Sequence, residues 1–357
     1  MNRRYWIVFV IGAIICGLFY TYLTNPYIRT DVFRSVCKGN WYLLCDSDTL
    51  YSMGYYGLRK YLTADKKNLI LLSENTVFAK NRMIYRGGCV YNDYLFVTTR
   101  NWLPGSKGEK DMGALLVMSK RDLKIIRAIV SDIKLIEAHT EGNSLVVSGI
   151  GGFNIFDISE PNRPKLVFKY RRKDYREYQG FDVMQHEGKL YAAFALFSQG
   201  MELWDITNRR NPRRLADERL PMKGQSMDLV CDYPKIYATI GPEQYGIKGE
   251  NDIRGLIVYD ISEIPVVKKD VVTIPSSEYY SRTTGDCQPI YLCRYHDKLY
   301  LNFSEKGLAV FNIQDKEKPR YSELIDVGRR ALIQPITVSS KGDVYAGSYY
   351  WPDIYTR

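Results

Sequence analysis

The sequence predicts an all-β chain folded as a seven-bladed β-propeller, with a six-bladed ring as the alternative, behind one N-terminal transmembrane helix. Three observations carry that expectation. A short strand pattern recurs seven times at a step near 45 residues. A second pattern, with alternating apolar residues, follows most of the recurrences. An uncharged run of 19 residues lies at the N-terminus.

That run, Tyr5 to Leu23, reads YWIVFVIGAIICGLFYTYL. As a helix at ~1.5 Å per residue it spans about 28 Å, close to the hydrocarbon thickness of a bilayer. Arg3 and Arg4 before it favour a cytoplasmic N-terminus and export of the remaining chain, although Arg29, Arg34 and Lys38 just downstream weaken the asymmetry. A cleaved signal peptide is the rival reading, but no Ala-x-Ala site comes after the run. The expected organisation is a cytoplasmic tip and signal anchor over 1–24, a linker with a candidate ring-closing strand over 25–39, and the propeller over 40–357. The expected location is the inner (cytoplasmic) membrane, single-pass, with the propeller in the periplasm or extracellular space.

The recurring pattern is a polar turn followed by an aliphatic anchor, usually with an aromatic next. The anchors are Leu50, Leu95, Leu145, Leu190, Ile236, Leu299 and Val344, at steps of 45, 50, 45, 46, 63 and 45. The second pattern opens on glycine, as in GFNIFDIS from Gly152, GMELWDIT from Gly200 and GLIVYDIS from Gly255. Apolar alternation there is a strand signature. One further strand comes after it and another precedes each anchor, giving four short strands per repeat, the arithmetic of a propeller blade. A lone meander cannot bury both faces, whereas radial stacking buries each face against a neighbour. The expected blades are Asn40–Glu74, Met83–Val130, Ile133–Tyr170, Phe181–Leu220, Met227–Ile274, Gln288–Ile325 and Ala331–Arg357. The last lacks an outer strand, which Tyr27–Phe33 would supply; fusing the C-terminal unit to the N-terminal one would leave six blades.

The second pattern resembles the LVIVD repeat of bacterial extracytoplasmic propellers. GFNIFDISEPNRPKLV (Gly152–Val167) carries it best, and the stretches opening at Gly200, Gly255 and Gly307 match in part, while blades 1 and 2 depart from it. The resemblance covers about 290 residues. It implies the fold and a binding or adhesion-type surface role, and is nearly silent about chemistry.

Forty-five per cent apolar residues and 25% charged residues exclude global disorder, and 30 Tyr with 13 Phe favour strands. The net charge of +10 favours anionic partners, with nucleic acid excluded by the export reading. Asp157, Asp205 and Asp260 stand at one repeat position, each two residues before Ser or Thr, which suits a turn. His139, His186 and His296 share no local ligand spacing, and Gly-x-Ser-x-Gly and Cys-x-x-Cys are absent. The expectation is therefore no catalytic residue, no metal and no cofactor. Among the six cysteines after the anchor, Cys37/Cys45 and Cys287/Cys293 are closest in sequence, and an exported chain permits disulfides. Cys45, Cys89, Cys231 and Cys293 fall late in the innermost strands, where small residues at a crowded axis are the main reading and a soft-metal thiol channel the lesser one.

Four connections are enlarged: Asn101–Met112, Arg171–Gly180, Gly241–Arg254 and Pro275–Asp286. Strand alternation sends them to one end of the ring. Long loops on a rigid scaffold carry binding, and Tyr, Trp and Arg dominate binding hot spots. The candidate binding residues are Trp102, Arg171, Arg172, Tyr175, Arg176, Tyr178, Tyr245, Tyr279, Tyr280 and Arg282. The expected function is a membrane-tethered recognition or scaffold module for an anionic glycan, envelope polymer or envelope protein. The alternative is a propeller hydrolase or lyase acting at the channel mouth, with Asp182, Asp228 and Glu250 as the nearest acids.

Overall fold

The computed structural model describes residues 39–54, 56–63, 69–77, 84–100, 112–172, 178–242, 253–279, 289–303, 307–325, 333–348 and 354–356. The expected anchor Tyr5–Leu23, the candidate closing strand Tyr27–Phe33, Cys37 and Cys287 lie outside them. Among the described residues no helix is long and apolar enough to cross a membrane.

Each sequence repeat folds as one antiparallel meander. Blade 1 is β1 (Asn40–Asp46), β2 (Thr49–Gly54), β3 (Gly57–Leu62) and β4 (Ile70–Asn75). Blade 2 is β5 (Ile84–Tyr91), β6 (Tyr94–Arg100), β7 (Gly113–Ser119) and β8 (Ile125–Ser131). Blade 3 is β9 (Leu135–Glu141), β10 (Ser144–Gly149), β11 (Gly152–Asp157) and β12 (Lys165–Arg171). Blade 4 is β13 (Phe181–His186), β14 (Lys189–Ala195), β15 (Met201–Asp205) and β16 (Arg213–Glu218). Blade 5 is β17 (Leu229–Asp232), β18 (Lys235–Ile240), β19 (Gly255–Glu263) and β20 (Val266–Thr273). Blade 6 is β21 (Leu292–Tyr295), β22 (Lys298–Asn302), β23 (Leu308–Asn312) and β24 (Arg320–Ile325). A last sheet holds β25 (Ile333–Val338), β26 (Val344–Ser348) and β27 (Ile354–Thr356).

The all-β propeller is thus the observed architecture, but the expectation of seven full blades is corrected. Six blades are complete, and the last sheet has three strands among the described residues. That sheet is packed on both sides. Val344 and Ala346 join Leu308 and Val310 of blade 6, and Tyr345 joins Leu43 and Leu50 of blade 1. The innermost strands contact one another in succession, and β25 meets β1.

Burial tracks the radius. β10 is buried at every residue, as is β18, while β4 and β20 are largely exposed. The middle strands lose the two-residue alternation expected of them because both faces meet a neighbouring blade. Between blades 3 and 4 the contact is aromatic, with Phe153 stacked on Phe194 at 4.6 Å, and within blade 4 Phe181 stacks on Phe194 at 5.2 Å.

The glycine that opens the third strand has a steric cause. Gly152 and Gly255 both adopt φ +154°, and a Cβ would lie 2.1 Å from the carbonyl oxygen of Tyr170 or Val272 on the outer strand. Gly152→Ala is expected to cost at least ~2 kcal/mol, because backbone strain and overlap add. Gly142→Ala, at φ +54° with nothing within 4 Å of the new Cβ, is expected to cost about 1 kcal/mol from strain alone. Urea midpoints of the two variants check this, and equal losses would show that the outer strand yields.

Candidate functional site

The ring positions of the channel can be read from the repeat. Eight residues before the seven anchors stand Tyr42, Gly87, Glu137, Asp182, Asp228, Tyr291 and Ile336. All but Gly87 line a central cavity of about 630 Å³, together with His139 and Cys293. A second, small cavity shares Tyr42, Glu137, Asp228 and Tyr291 and adds Arg86 and Gln179. It includes Gly180, Met227 and Ile290, which precede innermost strands, so it is the mouth at the end where blades connect. The Arg86 guanidinium lies over the Trp41 ring at 4.2 Å.

The three acids at these positions do one job in three blades. Glu137 Oε2 accepts the Phe181 amide of the next blade at 3.3 Å. Asp182 Oδ2 accepts the Cys231 amide at 2.9 Å, and Asp228 Oδ2 accepts the Leu292 amide at 2.8 Å. The other oxygens of Asp182 and Asp228 accept the amides of Val183 and Leu229, each at 2.8 Å. In blade 6 the Tyr291 hydroxyl donates to the Trp41 carbonyl of blade 1 at 2.9 Å. Innermost strands of adjacent blades are not paired as a sheet, so their inward amides need such acceptors. Asp182 and Asp228 were expected near the mouth as possible acids of an enzyme; both line the channel, Asp228 borders the mouth cavity as well, and both act as clasps between blades. Glu250 lies outside the described residues.

His139 supplies the counter-charge. Its Nε2 lies 3.5 Å from Glu137 Oε1 and its Nδ1 3.6 Å from Asp182 Oδ1. Burial opposes the imidazolium, but Glu137, then Asp182 and Asp228, outweigh it and raise the pKa to about 9. Burial raises the Asp182 carboxyl despite His139 and two amides. Burial and then the charge of Glu137 push Asp228 well up. Burial also lifts the Tyr42 phenol, leaving it protonated.

The thiols do not form a ring. Cys45 and Cys231 pair with the anchors Leu50 and Ile236, whereas Cys89 and Cys293 pair with Phe96 and Tyr300, one position out of register. An offset of one residue reverses the strand face. Burial raises all four, Cys45 to about 12. All four are free, and among the described residues no group of three His, Cys, Asp or Glu is placed to hold a metal. The repeat aspartates are turn residues. Asp157, Asp205 and Asp260 accept the amides of Ser159, Thr207 and Ser262 at 3.0, 3.0 and 2.9 Å.

Of the ten expected binding residues, three have described side chains, and all three fold inward. Arg171 Nη2 donates to Asp132 Oδ1 at 2.6 Å and Asn154 Oδ1 at 2.8 Å. Tyr178 is fully buried against Phe153 and Phe194, and its hydroxyl donates to Glu202 Oε2 at 2.7 Å. Glu202, also fully buried, accepts from Trp204 Nε1 and Arg214 Nη1, each at 3.0 Å, and from Arg172 Nη1. Arg172 and Tyr178 therefore pin the link between blades 3 and 4. Tyr279 ends a single helical turn, Ser276–Tyr279. Trp102, Tyr175, Arg176, Tyr245, Tyr280 and Arg282 lie outside the described residues. The sequence reading missed Glu202 and Glu137. A signal existed for each: Glu202 stands in an apolar strand ahead of Arg214, and Glu137, Asp182 and Asp228 recur at the repeat steps of 45 and 46.

Solved structures of similar fold have little sequence in common with this chain, and one of them is described as a β-propeller. The WD40 propeller domain of Doa1 superposes with a TM-score of 0.57 at 9% identity, over 90% of this chain and 92% of that one. The extracellular domain of the two-component system BT4673 of B. thetaiotaomicron gives 0.58 at 14% identity, over 90% of this chain but 38% of that one. The complex of KlAtg21 with the coiled coil of AgAtg16 gives 0.58 at 9% identity, over 87% and 92%. No protein-family model matches the chain, and no curated protein does. At these identities the likeness shows the fold alone.

Two stability measurements test these networks. His139 has a folded-state pKa above its ordinary ~6.5, so its contribution is complete below that value and is lost as pH rises towards 9. The wild type is expected to lose roughly 1–3 kcal/mol over that window, and His139→Gln to flatten the loss. Urea titrations from pH 6 to 10 measure both. Glu202→Ala is expected to cost about 3–5 kcal/mol by stranding Arg172 and Arg214, and Arg172→Ala about 2–4 kcal/mol. An Arg172→Ala protein of unchanged unfolding midpoint would make that arginine a candidate for binding again.

Proposed function

We propose that the propeller serves as a binding or scaffold module, a role its fold supports. We propose, more finely, that the chain is an LVIVD-type propeller tethered to the inner membrane by residues 1–24, presenting its ring outside the cytoplasm to an anionic glycan of the envelope. The carrying observation is the division of labour across the ring. The channel acids Glu137, Asp182 and Asp228 each accept a backbone amide of the next blade, which gives them a structural task, while Gln179 and Gly180 of the link between blades 3 and 4 border the mouth. Binding then belongs to the connections rather than to the channel. The charge of +10 fits an anionic partner, and the uncharged run at Tyr5–Leu23 fits a tether.

The full chain in detergent is expected to bind an acidic polysaccharide and to ignore neutral dextran. Affinity should fall at least tenfold between 50 and 300 mM salt, because screened pairs carry the contact. A reporter fused after Arg357 should be active only outside the cytoplasm. Salt-independent binding, or a reporter active inside, would each remove one half of the reading.

A further inference from the structure

A polar cleft opens between two connections at the mouth end of blade 4. One wall is the turn after β14, carrying Ser198 and Gln199. The other is the link from blade 4 to blade 5, carrying Arg219, Leu220, Met222 and Lys223. The walls are tied to each other and to the ring. Gln199 N donates to the Leu196 carbonyl at 2.9 Å, and Leu196 N to that of Gly200 at 2.8 Å. Across the cleft Ser226 N donates to the Phe197 carbonyl at 2.9 Å, and Gln225 N to that of Gly241 at 2.8 Å. The cleft is thus built before any ligand arrives, which lowers the ordering cost of binding.

Its charge is unbalanced. Glu218 is held by Lys269 Nζ at 2.8 Å, and Asp217 by Arg214 Nη1 at 3.2 Å. Arg219 and Lys223 are exposed, and neither has a carboxylate partner among the described residues. Gln199 carries a buried side-chain oxygen without a hydrogen-bond partner. Leu220 and Met222 give the cleft an apolar surface beside these polar groups.

We propose that this cleft is the subsite for a uronate unit of an acidic polysaccharide. The proposal rests on the anionic-glycan reading of the ring and names its place. The Arg219 fork takes the carboxylate in a bidentate pair, and Lys223 takes a second oxygen or the next unit's charge. Leu220 and Met222 meet the C–H face of the pyranose ring. Ser198 and the unpartnered Gln199 oxygen bond to its hydroxyls after a side-chain rotation. A bare inorganic anion would leave the apolar surface and the Gln199 acceptor unused.

The test uses the full chain in detergent with polygalacturonate, poly-L-glutamate and neutral dextran as probes. Polygalacturonate alone is expected to bind. Arg219→Ala/Lys223→Ala should weaken it at least tenfold, Arg219→Lys several-fold through loss of the fork, and Arg213→Ala, an exposed cation outside the cleft, not at all. Unfolding midpoints should stay within a degree or two of the wild type, since both cleft cations are exposed and without a carboxylate partner. Undiminished polygalacturonate binding by the double variant overturns the subsite and leaves the glycan reading standing. No binding by the wild type overturns both. Stronger binding of poly-L-glutamate replaces the sugar acid with an acidic peptide.

Discussion

The constraint on which this structure depends lies at the axis, where the innermost strands of adjacent blades meet without pairing as a sheet. Each meander satisfies its own backbone outward from the second strand, but the inward edge of the first strand faces another edge across a bend. An amide left there without water costs about as much as a lost hydrogen bond. The protein answers with side chains at a single repeat position. Glu137, Asp182 and Asp228 each accept an amide from the following blade, and Tyr291 reaches the Trp41 carbonyl of blade 1. Radial packing of the apolar faces depends on these clasps, because the faces meet only when the inner edges are held together.

That solution carries an electrostatic penalty of its own. Three carboxylates in one buried channel repel one another and are poorly hydrated, which is why Asp182 and Asp228 are both shifted towards their neutral forms. His139 reduces the penalty by standing between Glu137 and Asp182, and its own proton is held tightly in return. The same cluster would look catalytic from its shifted groups alone. Hydrogen-bond accounting gives it a structural role as well: one oxygen of Asp182 and of Asp228 accepts an amide of the next blade, and the other an amide of its own blade.

The repeat made the architecture legible. Anchors from Leu50 to Val344 fall on the second strand of every sheet, and the turn role of Asp157, Asp205 and Asp260 could be read from their place in the period. The number of complete blades was less legible, since closure depends on what pairs beside β27, and short C-terminal strands carry little pattern. The binding residues were harder still. Arg171, Arg172 and Tyr178 have the composition of a recognition loop, but composition does not tell whether a side chain points out or folds back. What turns them inward is Asn154 and Glu202, polar residues at equivalent places, two after the glycine that opens the third strand, in strands otherwise buried and apolar. A polar residue in an apolar inner strand needs a partner, and the nearest arginine on the following link provides it.

This inward commitment bears on where recognition resides. The ring consumes its channel acids for closure, and the buried Glu202 consumes Arg172 and Tyr178 of the link between blades 3 and 4 together with Arg214. Groups engaged in this way cannot be withdrawn for a ligand without leaving a stranded charge, so their electrostatic strength is unavailable to a partner. What remains for recognition is the surplus, the cations on connections whose neighbouring acids are already neutralised. Arg219 and Lys223 belong to that surplus because Lys269 and Arg214 have taken Glu218 and Asp217. The unbalanced cations at the cleft of blade 4 are therefore a consequence of how the acids beside them are used: Glu218 and Asp217 on the outer strand are already paired with Lys269 and Arg214.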